Sequence, residues 1–244
     1  MLVSALVILA VFLGALTRAT FGFGEAVVAM PLLALLPVNL HTSASLVGLV
    51  GLSVALMSLL GRVRHVDVAA LARLSVGTLC GIPLGIALLK EVPASLVMTV
   101  LGSSLVLYGL GSLASRRARG NLGLAWSYPT GLLAGALGSA YNFAGAPVAV
   151  NGTRRGWGPE DFRGTLQAHF AIAGVMIVCA QAVGGIWTPA VPWLFAASLP
   201  AVALATFCGH RLHRRIPAER FARAVYLLVL ALGLVLLGRV LGAP

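Results

Sequence analysis

Ten apolar segments follow one another along this chain, and no hydrophilic block between them is long enough to fold by itself. They cover about 2–19, 26–37, 42–61, 68–89, 93–114, 124–140, 144–152, 165–184, 190–208 and 218–240. Most approach the roughly 20 residues that a helix needs to cross a hydrocarbon core of about 30 Å. Inside a bilayer the backbone must satisfy its own hydrogen bonds, so long apolar segments of this kind become helices. Only 9% of residues are charged, against roughly 25% in a soluble domain. The chain therefore reads as an all-α, polytopic membrane protein with one membrane domain, 1–244. Residues 2–17 lack a basic lead-in and read as a retained helix, not a cleaved signal.

The formal charge of +11 does not indicate nucleic acid. The sixteen arginines and one lysine fall mostly in short loops between apolar segments, where they act as topology signals. Cys80, Cys179 and Cys208 lie inside apolar segments without CxxC spacing and read as small packing residues. His210 and His213 have no carboxylate beside them. No metal or cofactor is expected.

Segments two and seven are too short to span, and each adjoins a break rich in glycine. The first break is Arg18-Ala-Thr-Phe21-Gly22-Phe23-Gly24-Glu25, with Pro31 beyond it. The second is Gly138-Ser-Ala-Tyr141-Asn142-Phe143-Ala-Gly145-Ala-Pro147. Gly22 and Pro31 align with Gly138 and Pro147 at an offset of 116, which sets Tyr141 and Asn142 opposite Glu25 and Ala26. Later the offset is 124, where Gly77, Gly81, Gly85 and Pro93 face Ala201, Ala205, Gly209 and Pro217. The chain thus divides into repeat one (about 1–115), a basic linker (about 116–123) and repeat two (about 124–244). Small residues four apart let membrane helices approach closely, so the repeat preserves a packing face.

Equivalent loops carry opposite charge character. Gly61-Arg-Val-Arg64-His65-Val-Asp67 is basic and Gly185-Ile-Trp-Thr-Pro189 is uncharged, whereas Lys90-Glu91 is balanced and Arg211 to Arg223 holds five arginines. Under the positive-inside rule the repeats are inverted, with both termini outside and Arg116–Arg119 and Arg154–Arg163 inside. Inverted repeats with discontinuous helices are the architecture of several secondary transporters.

The candidate site gathers at the two breaks. Gly22 and Gly24 allow close backbone approach, and the amides opening each half-helix attract an anion. Arg18 could neutralise an anion, pair with Glu25 or snorkel to the surface. Glu25, the one acidic residue far from any membrane surface, is the candidate carrier of a coupled proton. On that basis Glu25→Gln is expected to leave folding intact and remove the pH dependence of flux. Tyr141 and Asn142 could orient an oxyanion or satisfy the broken backbone. Gln167 and His169 in repeat two, and Thr42, Ser43 and Ser45 in repeat one, hold corresponding places that would flank the half-helices. His169 reads better as a satisfied core histidine. Asp67 reads as an N-cap. Gly51-Leu-Ser53-Val54 and Gly102-Ser-Ser104-Leu105 fit a loose intramembrane-protease pattern with His169 as base, but neither serine falls at a break. The chain is not expected to be an enzyme.

Phe21-Gly-Phe-Gly-Glu-Ala-Val-Val-Ala-Met-Pro-Leu-Leu33 resembles the first signature of the TauE/SafE sulfite exporter family. Gly135-Ala-Leu-Gly138 through Ala144-Gly-Ala-Pro147 is similar to its second, and the likeness extends over nearly the whole chain. The resemblance implies transport, without ATP, of a small sulfur-containing anion such as sulfite, thiosulfate or an organosulfonate across the inner membrane. It also implies that the two breaks face each other around the substrate, with Gly22, Gly24, Pro31, Gly138, Gly145 and Pro147 at the site and Glu25 and Asn142 beside them. Many members have three successive glycines where this chain has Gly24-Glu25-Ala26. The expected partners are the anion and the bilayer; a passive channel, a carrier of another small solute and a homo-oligomer stay open.

Overall fold

A computed structural model describes residues 2–59, 63–114, 122–213, 226–227 and 230–238. Its helices are α1 (Leu2–Phe21), α2 (Glu25–Ala34), α3 (Leu40–Leu59), α4 (Val68–Glu91), α5 (Ala94–Ala114), α6 (Ser127–Tyr141), α7 (Gly145–Arg154), α8 (Pro159–Val183) and α9 (Ala190–His213). Residues 230–238 are helical as well. Among the described residues, α1, α3, α4, α8 and α9 are long and apolar enough to cross a membrane. The half-helices α2 and α7 have ten residues each, about 15 Å, so neither spans. The linker arginines 116–119 and the basic stretch from residue 214 lie outside the described residues.

The fold is held by pairings that cross between repeats. Among the described residues, the two most extensive helix contacts are α4 on α6 and α1 on α9. Exchanging the repeats (α1 with α6, α4 with α9) turns one contact into the other. The α3–α8 contact, next in extent, maps onto itself under the same exchange. The structure is thus two five-segment repeats with broken halves, each offering its first helix to the other's fourth.

Sequence explains why α4 and α6 meet so closely. A Cβ on Gly77, Gly81 or Gly85 would run into the carbonyls of Tyr128, Leu132 and Ala136, and one on Gly131 or Gly135 into those of Leu74 and Thr78. Five glycines at helical spacing let two backbones touch, the small-residue packing that membranes favour. Thr78 Oγ1 donates across the seam to Gly131 O at 3.2 Å, and Ser139 Oγ to Ile82 O at 3.0 Å. On the α1–α9 side Gly209 meets Leu16 O and the Ala19 side chain. The cysteines depart from expectation: Cys80 and Cys179 lie on outer helix faces and do not fill the interior.

Asp67 caps α4, accepting from Ala70 N at 3.0 Å. Its carboxylate also takes Arg155 Nη2 at 3.2 Å and Trp157 Nε1 at 3.1 Å, while its own N–H donates to Thr165 Oγ1 at 2.9 Å. One aspartate therefore ties the α3–α4 turn of repeat one to the α7–α8 turn of repeat two. Burial opposes its ionisation, but the Ala70 amide, the indole and the guanidinium outweigh that cost, and the carboxyl ionises below the ordinary value of 3.8. With the folded value depressed, the stabilisation is present above 3.8 and is lost as pH falls through the lower folded value. Thermal unfolding in detergent is expected to show an acid-sensitive component in the wild type and none from this site in Asp67→Asn. Identical acid profiles would refute the role.

Candidate functional site

The first break forms because α1 ends on a residue that only glycine holds comfortably. Gly22 has φ 88° and Gly24, the N-cap of α2, has φ 96°, both left-handed. Gly22 N donates back to Arg18 O at 2.7 Å, and Gln167 Nε2 from α8 donates to Gly22 O. In the second break α6 ends at Asn142, φ 56°, whose N–H donates to Gly138 O at 2.8 Å. Asparagine is among the few side chains that tolerate this conformation.

These end points revise the alignment of the breaks. Helices α1 and α6 end 120 residues apart, and α2 and α7 begin 120 apart. Gly22 therefore corresponds to Asn142, Phe23 to Phe143 and Glu25 to Gly145, in place of the offset of 116 that matches Gly22 with Gly138. The left-handed turn is kept, while the residue that makes it is not. The same offset makes Leu16 and Ala19, the contacts of Gly209, equivalent to Ala136 and Ser139, the contacts of Gly85. It also sets Arg18 opposite Gly138, so both members of the charged pair are glycine in repeat two.

Between the breaks lies a cavity of about 50 Å³. On the scale where one water needs about 10–15 Å³, it takes a few water-sized groups, enough for a small oxyanion. Glu25, Ala26 and Val27 of α2 line it, as do Gly145 and Ala146 of α7, so the first turns of both half-helices open on one space. Amides in a first helical turn lack intrahelical partners, and the dipole there favours negative charge.

Arg18 and Glu25 meet at this cavity. Arg18 Nη1 donates to Glu25 Oε2 at 2.9 Å, with side chains 8% and 4% exposed, which excludes snorkelling. The guanidinium lies 4.5 Å above the Phe170 ring centroid. Arg18 Nε and Nη2 and Glu25 Oε1 have no hydrogen-bond partner among the described residues. The arginine is thus half engaged, with a second donor edge spare. Gly51 of α3 makes the room: a Cβ there would stand 3.0 Å from both Arg18 Nη1 and Glu25 Oε2.

Of the expected residues, Arg18, Phe23, Gly24, Glu25, Asn142 and Gly145 line the cavity. Phe21 lines a smaller recess of about 20 Å³ behind the first break, with Phe23, Tyr108 and Tyr226. Gly22 and Gln167 hold the break together from outside the cavity. Pro31 is buried within α2, Tyr141 is buried at the end of α6, and Pro147 sits in the first turn of α7. His169 is fully buried, with Nε2 3.0 Å from Thr78 Oγ1. Ser53 Oγ donates to Leu49 O, so neither it nor His169 is turned toward the other. Thr42 pairs with Thr188 Oγ1 at 2.8 Å and Ser43 donates to Asn39 O. The lining residues not anticipated include Gly48 and Gly51 of α3 and Phe170 and Gly174 of α8. Glycines on one face of α3 were the available signal.

The sequence profile described as "Sulfite exporter TauE/SafE" matches residues 6–236. The chain is also similar to the "Probable sulfite/organosulfonate exporter TauE" of Cupriavidus necator (strain H16), 27% identical over 202 residues, covering 78% of this chain and 76% of that protein. No solved structure matches it. With the profile spanning nearly the full length, this chain belongs to the TauE/SafE sulfite exporter family.

Proposed function

We propose that this protein is a secondary transporter of the bacterial inner membrane that carries a small sulfur-containing anion, such as sulfite, thiosulfate or a short organosulfonate. The observation that carries this reading is the convergence of two half-helix N-termini and the spare edge of Arg18 on one 50 Å³ cavity. Amide donors and a guanidinium fork suit a planar or pyramidal oxyanion. Glu25 is the competitor for Arg18. A proton on Glu25 removes that competition and readies Arg18 for the substrate, which couples proton and anion. The inverted repeats then offer alternating access, with both termini outside.

The test is tracer uptake into proteoliposomes, comparing sulfite, thiosulfate and a small sulfonate with sulfate and chloride, with and without a pH gradient. Saturable uptake of one sulfur anion that responds to the gradient is the expected result. Uptake equal to empty liposomes for every anion would overturn the reading, and flux that never saturates would make the protein a channel.

A further inference from the structure

Beside the anion cavity, two amide side chains are oriented by the backbone. Asn142 Nδ2 donates to Ala44 O at 2.6 Å, and Gln181 Nε2 donates to Ser139 O at 2.9 Å. Those bonds identify the nitrogens and so assign the oxygens. Both oxygens converge on α3 at Gly48, where a Cβ would lie 3.0 Å from Asn142 Oδ1 and 3.2 Å from Gln181 Oε1. Gln181 is fully buried, and its Oε1 has no hydrogen-bond partner among the described residues. Ser45, three residues before Gly48 and on the same helix face, is fully buried with its Oγ likewise without a partner.

A buried acceptor left unsatisfied is costly, and two acceptors brought to one place call for something positive or donating between them. The ligands are hard oxygens, which select hard cations. None is a carboxylate, and calcium- or magnesium-type sites recruit carboxylates, so the set suits a single positive charge. Asn142 also ends α6, where the helix dipole is negative. We infer that Asn142 Oδ1, Gln181 Oε1 and Ser45 Oγ form a site for a monovalent cation of about sodium size, its shell completed by water.

The coupling consequence rests on the transporter reading. Gly48 and Asn142 line the anion cavity, so cation and anion are neighbours and each lowers the cost of the other. By linkage the effect is reciprocal: the cation raises anion affinity by the factor by which the anion raises cation affinity. Repeat one offers Glu25 for a proton, and the end of α6 in repeat two offers these oxygens for a metal cation.

The test starts with purified full-length protein in detergent, titrated with sodium chloride or choline chloride at equal ionic strength while thermal unfolding is followed. Sodium is expected to raise the wild-type midpoint saturably and choline is not. Gly48→Ala, which places a methyl between the oxygens, and Gln181→Leu are expected to lose the sodium-specific rise. Should Gln181→Leu not fold, Gly48→Ala decides the point alone, since it leaves both amides and their backbone bonds in place. A water molecule donating to both oxygens would give equal responses to sodium and choline, and that outcome overturns the site, as do variants that retain the wild-type sodium response. In proteoliposomes, sodium in place of choline is expected to tighten apparent sulfite affinity about tenfold. Sulfite carried with equal affinity in both salts overturns the coupling. A sodium-specific rise in a protein that carries no anion supports the cation site and counts against anion transport alone, so the two failures are separable.

Discussion

Arg18→Gln is expected to cost about 3–5 kcal/mol of stability and to abolish anion transport. The stability loss comes from what is left behind. Glu25 is 4% exposed, and without the guanidinium it must either hold an uncompensated charge in the interior or take up a proton there, at a cost either way. Glu25→Gln leaves Arg18 in the same position, so the pair alters the outcome that the sequence alone suggests, intact folding with loss of the pH dependence of flux. The double variant Arg18→Gln with Glu25→Gln removes both charges and is expected to regain most of the stability while remaining unable to carry the anion. Repeat two is a natural precedent, since Gly138 and Gly145 stand where Arg18 and Glu25 do and that half folds without either charge. Thermal unfolding of the three variants, with tracer flux beside it, checks both parts. A double variant no more stable than the singles would show that the pair is not an energetic unit.

Gly81→Val is expected to prevent accumulation of folded protein. A Cβ at this position would overlap Leu132 O and come within 2.9 Å of Ala136 N, and both are backbone atoms of a packed helix that cannot swing aside. Overpacking a core usually costs about 1–3 kcal/mol, and contact with rigid backbone belongs at or above the top of that range. Gly111→Ala is the control, because a Cβ there meets nothing within 4 Å among the described residues. It is expected to express as wild type or slightly better, since alanine favours helix. Size-exclusion profiles in detergent separate the two; a monodisperse Gly81→Val protein would mean that α4 and α6 do not pack backbone to backbone.

Much of this architecture is readable from residues. Arg18, Gly22, Gly24 and Glu25 interrupt an apolar run and mark the first break, and α2 and α7 are both as short as expected. Asp67 caps α4 as its position suggests. The register of the second break is harder to read, because glycine identity is a poor guide when asparagine serves equally well at the left-handed position, as Asn142 does. The start of α8 is also missed: Pro159 at its first position, followed by Glu160 and Asp161, opens the helix before the apolar pattern begins. Gly48 and Gly51 sit in the unbroken apolar run of α3, where glycine is ordinary in a membrane helix. Their purpose appears only when the Arg18–Glu25 pair and the two amides are seen to occupy the space they leave.

The crossed pairing of α4 with α6 and α1 with α9 bears on how the chain is made. As it emerges from the ribosome and enters the bilayer, α4 presents its glycine seam to lipid until α6 arrives, and α1 waits for α9, almost the whole length of the polypeptide. Neither half has its main neighbour within itself. Biogenesis must therefore tolerate a loosely associated first half and complete its assembly late, so a chain truncated after α5 would insert but have no mate to close against.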